Sequence, residues 1–380
     1  MDIRYFDHAA TTPIKKEVLK EMEPYLSEEY GNPSSAHIKG VIAKNAIENA
    51  RIEIAECINA KKEEIYFTSG GTESDNIAIK GFARANKKKG KHIITTKIEH
   101  KAVLESCKVL EDEGFEITYI DVDKYGIVNL KELEEAIKEE TILISVMYAN
   151  NEIGTIQPIK QIGQIAHKNN ICFHTDAVQA IGNQKIDVSE LDVDMLSMSS
   201  HKFYGPKGVG ALYVKEEVEF YPVINGGGQE KQKRGGTENV AGIVGMAKAL
   251  QLSTENIEKY NDKLYKLSNT FLDEMNNEFI KFKLNGHPVK RLKGNINITL
   301  KNIDAESMVL LLSEKGICTS MASACSANSK KISHVLKAIG LNEEEAKSTI
   351  RITFGEENEL PDVRYLVKTI KGIINKLQQM

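Results

Sequence analysis

With 380 residues, 41% of them hydrophobic and 27% charged, the chain has a globular composition and exceeds the size at which one core stops growing, about 250–300 residues. A large domain with a smaller companion is expected. The formal charge of −4, from 50 basic and 54 acidic residues, argues against a general attraction to nucleic acid or to an anionic membrane.

The segment Met1–Asp7 has no apolar run behind a basic stretch, so it reads as neither a signal nor a transit peptide, and the cytoplasm is the expected location. Ile47, Ala50, Ile54 and Ile58 are spaced three or four apart, which predicts a helix. From there β-rich runs at 65–67, 92–96, 116–120, 142–148, 171–175, 195–199 and 210–214 alternate with helical stretches at 74–87, 100–111, 130–139, 159–168 and 239–251. Such alternation predicts an α/β layered sheet. After residue 252 the pattern becomes a polar helix at 254–278, strands near 294–300 and 317–320, and helices at 304–314, 330–339 and 361–378. A second, α+β domain is expected there.

Five cysteines, Cys57, Cys107, Cys172, Cys318 and Cys325, are scattered without a C-x-x-C pair, which argues against a disulfide framework or a zinc knuckle. Cys325 differs from the others. It lies in Thr319-Ser320-Met321-Ala322-Ser323-Ala324-Cys325-Ser326-Ala327-Asn328-Ser329, a small and polar run that reads as a mobile loop.

Three segments suggest chemistry. Thr68-Ser69-Gly70-Gly71-Thr72-Glu73-Ser74-Asp75-Asn76 stands between a strand and a helix, where backbone N–H groups and the helix N-terminus suit a phosphate, or the hydroxyls merely cap the helix. His174-Thr175-Asp176-Ala177-Val178-Gln179 and Ser199-Ser200-His201-Lys202 both end predicted strands, so a carboxylate and a lysine meet at the carboxyl edge of the sheet. They form either an ion pair or a pyridoxal-phosphate site, with Lys202 as the Schiff-base lysine and Asp176 on the pyridine nitrogen.

Together these segments resemble the fold type I pyridoxal-phosphate enzymes and, within them, the group I cysteine desulfurases of the NifS/IscS family. The likeness spans the chain, from Tyr5-Phe6-Asp7-His8-Ala9-Ala10-Thr11-Thr12-Pro13 and Gly31-Asn32-Pro33-Ser34-Ser35, through Asn150-Asn151-Glu152-Ile153-Gly154 and Arg234-Gly235-Gly236-Thr237-Glu238-Asn239, to Ser323-Ala324-Cys325. The resemblance implies a large domain over 15–253, with a seven-stranded, mostly parallel sheet between helices, and a small α+β domain from 1–14 and 254–380.

By the same resemblance Gly71, Thr72, Ser199 and His201 hold the cofactor phosphate, His100 stacks on its ring, and Asn151 and Gln179 lie near its phenolic oxygen. Thr237 reaches the phosphate of a second subunit, which implies a homodimer. Asn32, Asn151 and Arg351 serve the substrate, Arg351 by gripping its carboxylate bidentately. The implied reaction removes sulfur from L-cysteine, leaving alanine and a Cys325 persulfide, with Lys202 as base and His100 assisting proton transfer. The sulfur passes to an iron–sulfur scaffold or carrier protein, or to transfer RNA thiolation, and Cys325 is a candidate transient cluster ligand.

Met321-Ala322 replaces a serine–glycine pair found in many relatives, which bears on the loop and on the acceptor it meets. The short loop after Cys325 fits group I over group II. A selenocysteine lyase, another class V enzyme and a non-catalytic assembly scaffold remain as alternatives.

Overall fold

The computed structural model describes residues 2–321 and 332–378. A two-residue strand, Arg4–Tyr5 (β1), comes first. The seven β-rich runs then form one sheet: Ile65–Thr68 (β2), His92–Thr96 (β3), Glu116–Ile120 (β4), Thr141–Ser145 (β5), Cys172–Asp176 (β6), Met195–Ser199 (β7) and Gly210–Val214 (β8). The order is β2-β8-β7-β6-β5-β3-β4. Only β8 runs antiparallel to its neighbours. Residues of β3, β5, β7 and β8 are buried throughout, because helices cover both faces of a parallel sheet and leave no side for polar alternation.

Helices Lys101–Asp112, Leu130–Glu135, Ile159–Lys168 and Val188–Leu191 cross between the parallel strands. Asn129 and Asp187 cap two of them by accepting hydrogen bonds from the first-turn N–H groups, each cap contributing roughly 1 kcal/mol. The expected helix at 74–87 is interrupted: Gly71–Asn76 and Phe82–Asn86 are α-helical, and Ile77–Gly81 between them is a π segment. Helix Lys16–Ser27 was not legible in the sequence. Pro24 lies inside it and only Val18 and Met22 are buried, which is too sparse a stripe for periodicity to reveal.

The long helix expected at 254–278 begins later, since Val240–Glu255 runs on before Ile257–Asn277 starts. Beyond it lie Lys283–Leu284 (β9), Asn295–Thr299 (β10), Ile317–Cys318 (β11), Ser320–Met321 (β12) and Thr349–Thr353 (β13). Four of these form an antiparallel sheet, β12-β13-β10-β9, and β11 pairs with β1. The expected helix at 330–339 spans His334–Ala338 among the described residues.

A separate core fills this part, with Phe271, Ile298, Met308, Ile350, Ile352 and Leu366 fully buried. Phe6 joins it at 0% exposure, a burial that contributes about 1.5–3 kcal/mol. It ties the N-terminal segment to the C-terminal sheet, and this fixes where the residues after Phe6 must run.

Candidate active site

The carboxyl ends of β6 and β7 open on a cavity of about 360 Å³ whose lining includes Gly71, Thr72, His100, Asn151, Asp176, Gln179, Ser199, His201, Lys202 and Arg351. Ten residues singled out in the sequence, drawn from across 280 positions of chain, therefore share one wall system.

Lys202 ends the short turn Ser200–Lys202 directly after β7. Its Nζ donates to the carbonyls of Ala9 and Ala10 at 2.7 and 2.8 Å, and the Gln179 amide donates to the Ala9 carbonyl at 2.9 Å. Thr12 completes the strap, since its N–H and hydroxyl both donate to the His201 carbonyl and its hydroxyl accepts from the Tyr204 N–H. The Ala9-Ala10-Thr11-Thr12 motif thus orients the lysine. His201 approaches Thr11 at 3.1 Å, and burial with the charges of Lys202 and Lys207 lowers its pKa to about 4, so its ring is neutral.

Asp176 is 5% exposed and accepts from the Val178 N–H at 2.9 Å. Burial raises its pKa, while His100, the Val178 N–H and Lys202 favour the anion. Three further carboxyls, Asp75, Glu99 and Glu152, line the same cavity. Asp75, 1% exposed, is pushed well up by burial and by Asp176. Glu99, accepting from the Thr96 hydroxyl and the Met147 N–H, is raised to about 8. Like charges this close do not all ionise. Among these carboxyls Asp176 is the one whose anion both His100 and Lys202 favour, against the upward push of burial.

His100 caps helix Lys101–Asp112, its Nδ1 accepting from the Ala102 N–H at 3.2 Å, which places the ring proton on Nε2. Arg351, 1% exposed on β13, donates to Asp7 at 2.7 Å and to the Asn151 carbonyl at 3.0 Å. Its Nε is buried with no partner among the described residues. Glu152 beside it accepts from the Ser333 hydroxyl, and burial raises it to about 7.

Sequence reasoning missed the parts played here by Asp7, Asp75 and Glu152, although each sat in a quoted motif; nothing in the sequence pointed to Glu99 or to His334, which also line the cavity. Asn32 is exposed and lies outside the cavity, its Oδ1 accepting from the Ser34 N–H. Thr237 is exposed as well, near a second cavity of about 380 Å³ lined by Pro33, Ser34, Gln229, Glu230 and Glu238. Cys325 lies outside the described residues. Among the described residues, no group of three or more His, Cys, Asp or Glu is arranged to hold a metal.

The cavity fits pyridoxal phosphate. A Cβ on Gly71 would sit 2.6 Å from Val178 Cγ2, so only glycine leaves its backbone bare at the start of the helix, as a phosphate requires. The buried Asp176 anion suits a protonated ring nitrogen, and the unpartnered Arg351 Nε suits an anionic group.

The class-V aminotransferase pattern matches residues 4–366. The chain is 52% identical to a cysteine desulfurase IscS of Methanosarcina thermophila, over 99% of this chain and 93% of that one. It is 50% identical to a cysteine desulfurase IscS of Dictyoglomus turgidum, over 98% and 95%. Its fold matches a solved NifS-like protein with a TM-score of 0.93 at 39% identity, covering 99% of this chain and 100% of that one. A structure of SspA in complex with cysteine matches with a TM-score of 0.83 at 42% identity, over 93% and 99%. With Lys202, Asp176, His100 and Arg351 gathered in one cavity on this sheet, the chain belongs to the class-V aminotransferase family and, within it, to the NifS/IscS cysteine desulfurases.

Proposed function

We propose that the protein is a cysteine desulfurase that converts L-cysteine to L-alanine and passes the sulfur to Cys325. The observation that carries this reading is the convergence of Lys202, Asp176 and Arg351 on one cavity, in a chain 52% identical to a named cysteine desulfurase.

Gly71, Thr72, Ser199 and His201 would hold the phosphate of pyridoxal phosphate, Asp176 its nitrogen, His100 its ring face, and Lys202 its aldehyde. When bound, the cofactor supplies an electron-poor ring that accepts the pair left by the departing Cα proton. Arg351 holds the substrate carboxylate through the donor that Asp7 and the Asn151 carbonyl leave unused. Lys202, steered by the Ala9 and Ala10 carbonyls, takes the Cα proton. His100, with its proton on Nε2, assists proton transfer. The Cys325 thiolate attacks the substrate sulfur: an S–S bond forms, the Cβ–S bond breaks, and its electron pair stays on Cβ, which is protonated to give alanine.

A homodimer completes the site in this reading. Tyr30, Ile38 and Tyr221 are 73%, 71% and 57% exposed, and Thr237 is exposed as well, so these side chains are available to a second subunit. The sulfur goes on to an iron–sulfur scaffold or another carrier in the cytoplasm. Among the described residues no helix is long and apolar enough to cross a membrane.

The test is alanine and sulfide release from L-cysteine with a reductant present, in the wild type and in Cys325→Ala. Alanine from the first and none from the second supports the reading; none from either, with cofactor bound, rejects it.

A further inference from the structure

His334 lines the cavity but takes no part in the chemistry assigned to Lys202, Arg351 and Cys325. It begins the short helix His334–Ala338, and its Nε2 lies 2.9 Å from the Glu99 carbonyl oxygen. A carbonyl only accepts, so the proton sits on Nε2. Burial lowers the pKa of the ring, and Lys101, His100 and Lys108 lower it further against the Glu99 bond. The ring is therefore neutral near pH 7, and Nδ1 is a lone-pair acceptor. Nδ1 has no hydrogen-bond partner among the described residues, and the ring is only partly buried.

His334 belongs to the same wall system as Lys202 and Arg351, within which the substrate's side chain would lie. In the proposed reading Arg351 would take the carboxylate and Lys202 the Cα proton, and Gly71, His100 and Asp176 would hold the cofactor. Of the remaining lining groups, Glu152 is engaged by Ser333, and Glu99 by Thr96 and Met147. Lys101 only donates. His334 Nδ1 is an acceptor on this wall with no partner among the described residues, and so is available to a thiol proton. The same wall anchors the chain on either side of residues 322–331: Ser320 pairs with Arg351 across β12 and β13, and Ser333 bonds Glu152.

We propose that His334 recognises the substrate thiol, its Nδ1 accepting a hydrogen bond from the S–H while Nε2 stays on the Glu99 carbonyl. This rests on the cysteine desulfurase reading. It makes His334 a specificity residue that favours a side chain with a donor over alanine, and over a selenol, which is ionised at neutral pH and has no proton to give.

The test titrates the cofactor-loaded protein with L-serine and with L-alanine, following the cofactor's absorbance. Serine places a hydroxyl donor where cysteine has its thiol, and alanine places none. Two variants separate the two ring nitrogens. His334→Asn keeps an acceptor at the position of Nδ1 but cannot reach the Glu99 carbonyl. His334→Gln reaches that carbonyl but lacks the acceptor at Nδ1.

The expected result is that the preference for serine over alanine falls about 3- to 10-fold in His334→Gln and stays within about twofold in His334→Asn, with alanine affinity little changed in both. The KM for L-cysteine should follow the same order. The reverse order, or equal weakening of both amino acids, would mean that His334 only braces Glu99 and would overturn the proposal. Alanine release from L-cysteine by the wild type, measured on the same preparation, tests the underlying activity separately.

Discussion

Asp75 Oδ1 and His174 Nε2 lie 3.7 Å apart, with both residues sealed from solvent. His174 also bonds Ser145 at 2.9 Å and Ser197 at 3.0 Å. It stands two residues before Asp176 on β6 and so shares its face of the sheet. A row of buried polar groups thus runs behind the cavity, and its charge state is set by burial.

Burial lowers the His174 pKa to about 3, against about 6.5 in an unfolded chain. A histidine held neutral contributes stability above its unfolded pKa and loses it as pH falls toward the folded value. His174→Asn has no such dependence. Its stability deficit relative to the wild type should therefore shrink by about 1.6 kcal/mol between pH 6.5 and pH 5, the slope approaching about 1.4 kcal/mol per unit as the unfolded histidine becomes fully protonated. Urea unfolding at the two pH values measures it, and an unchanging deficit would show that His174 titrates in the fold as it does in the unfolded chain.

Arg351 uses two donors on Asp7 and Asn151, and its Nε has no partner among the described residues. Arg351→Lys keeps the charge and loses the planar fork, so kcat/KM for L-cysteine should fall about 10- to 100-fold, chiefly through KM. Asp7→Asn removes the charge that orients the guanidinium and should give a smaller loss in the same parameter. Steady-state kinetics of both variants decides it. A loss confined to kcat would place Arg351 elsewhere in the mechanism.

Gly71 meets Val178 so closely that a Cβ would sit 2.6 Å from its Cγ2. Gly71→Ala should weaken cofactor retention about tenfold or more, by forcing apart the phosphate turn and the backbone beside Asp176. Gly71→Ala combined with Val178→Ala should recover much of that loss, because the clash belongs to the pair. Cofactor content after equilibrium dialysis reads the result. Additive losses would show that the glycine is needed for its backbone conformation rather than for space.

The sheet was legible because its strands are short apolar runs between helices, and the structure confirms all seven in one layer. Lys202 and Asp176 were legible because each ends such a run. Arg351 was legible through the family resemblance, but its bond to Asp7 joins residues 344 positions apart, and no local pattern encodes that pairing. Glu99 and Glu152 read as ordinary acidic residues; only burial, which raises them to about 8 and about 7, makes them distinctive. The N-terminal strap on Lys202 was quoted as a motif, yet its purpose emerges only where Phe6 docks in the C-terminal core.

By itself the sequence determined the fold class, the family and the residue types of the site, since periodicity and ordered motifs are properties of neighbours along the chain. Tertiary structure alone decided the protonation of Asp75, Glu99 and His174, the partners of Arg351 and the presence of His334 on the wall. These depend on which distant groups exclude water from one another, and that is a property of packing.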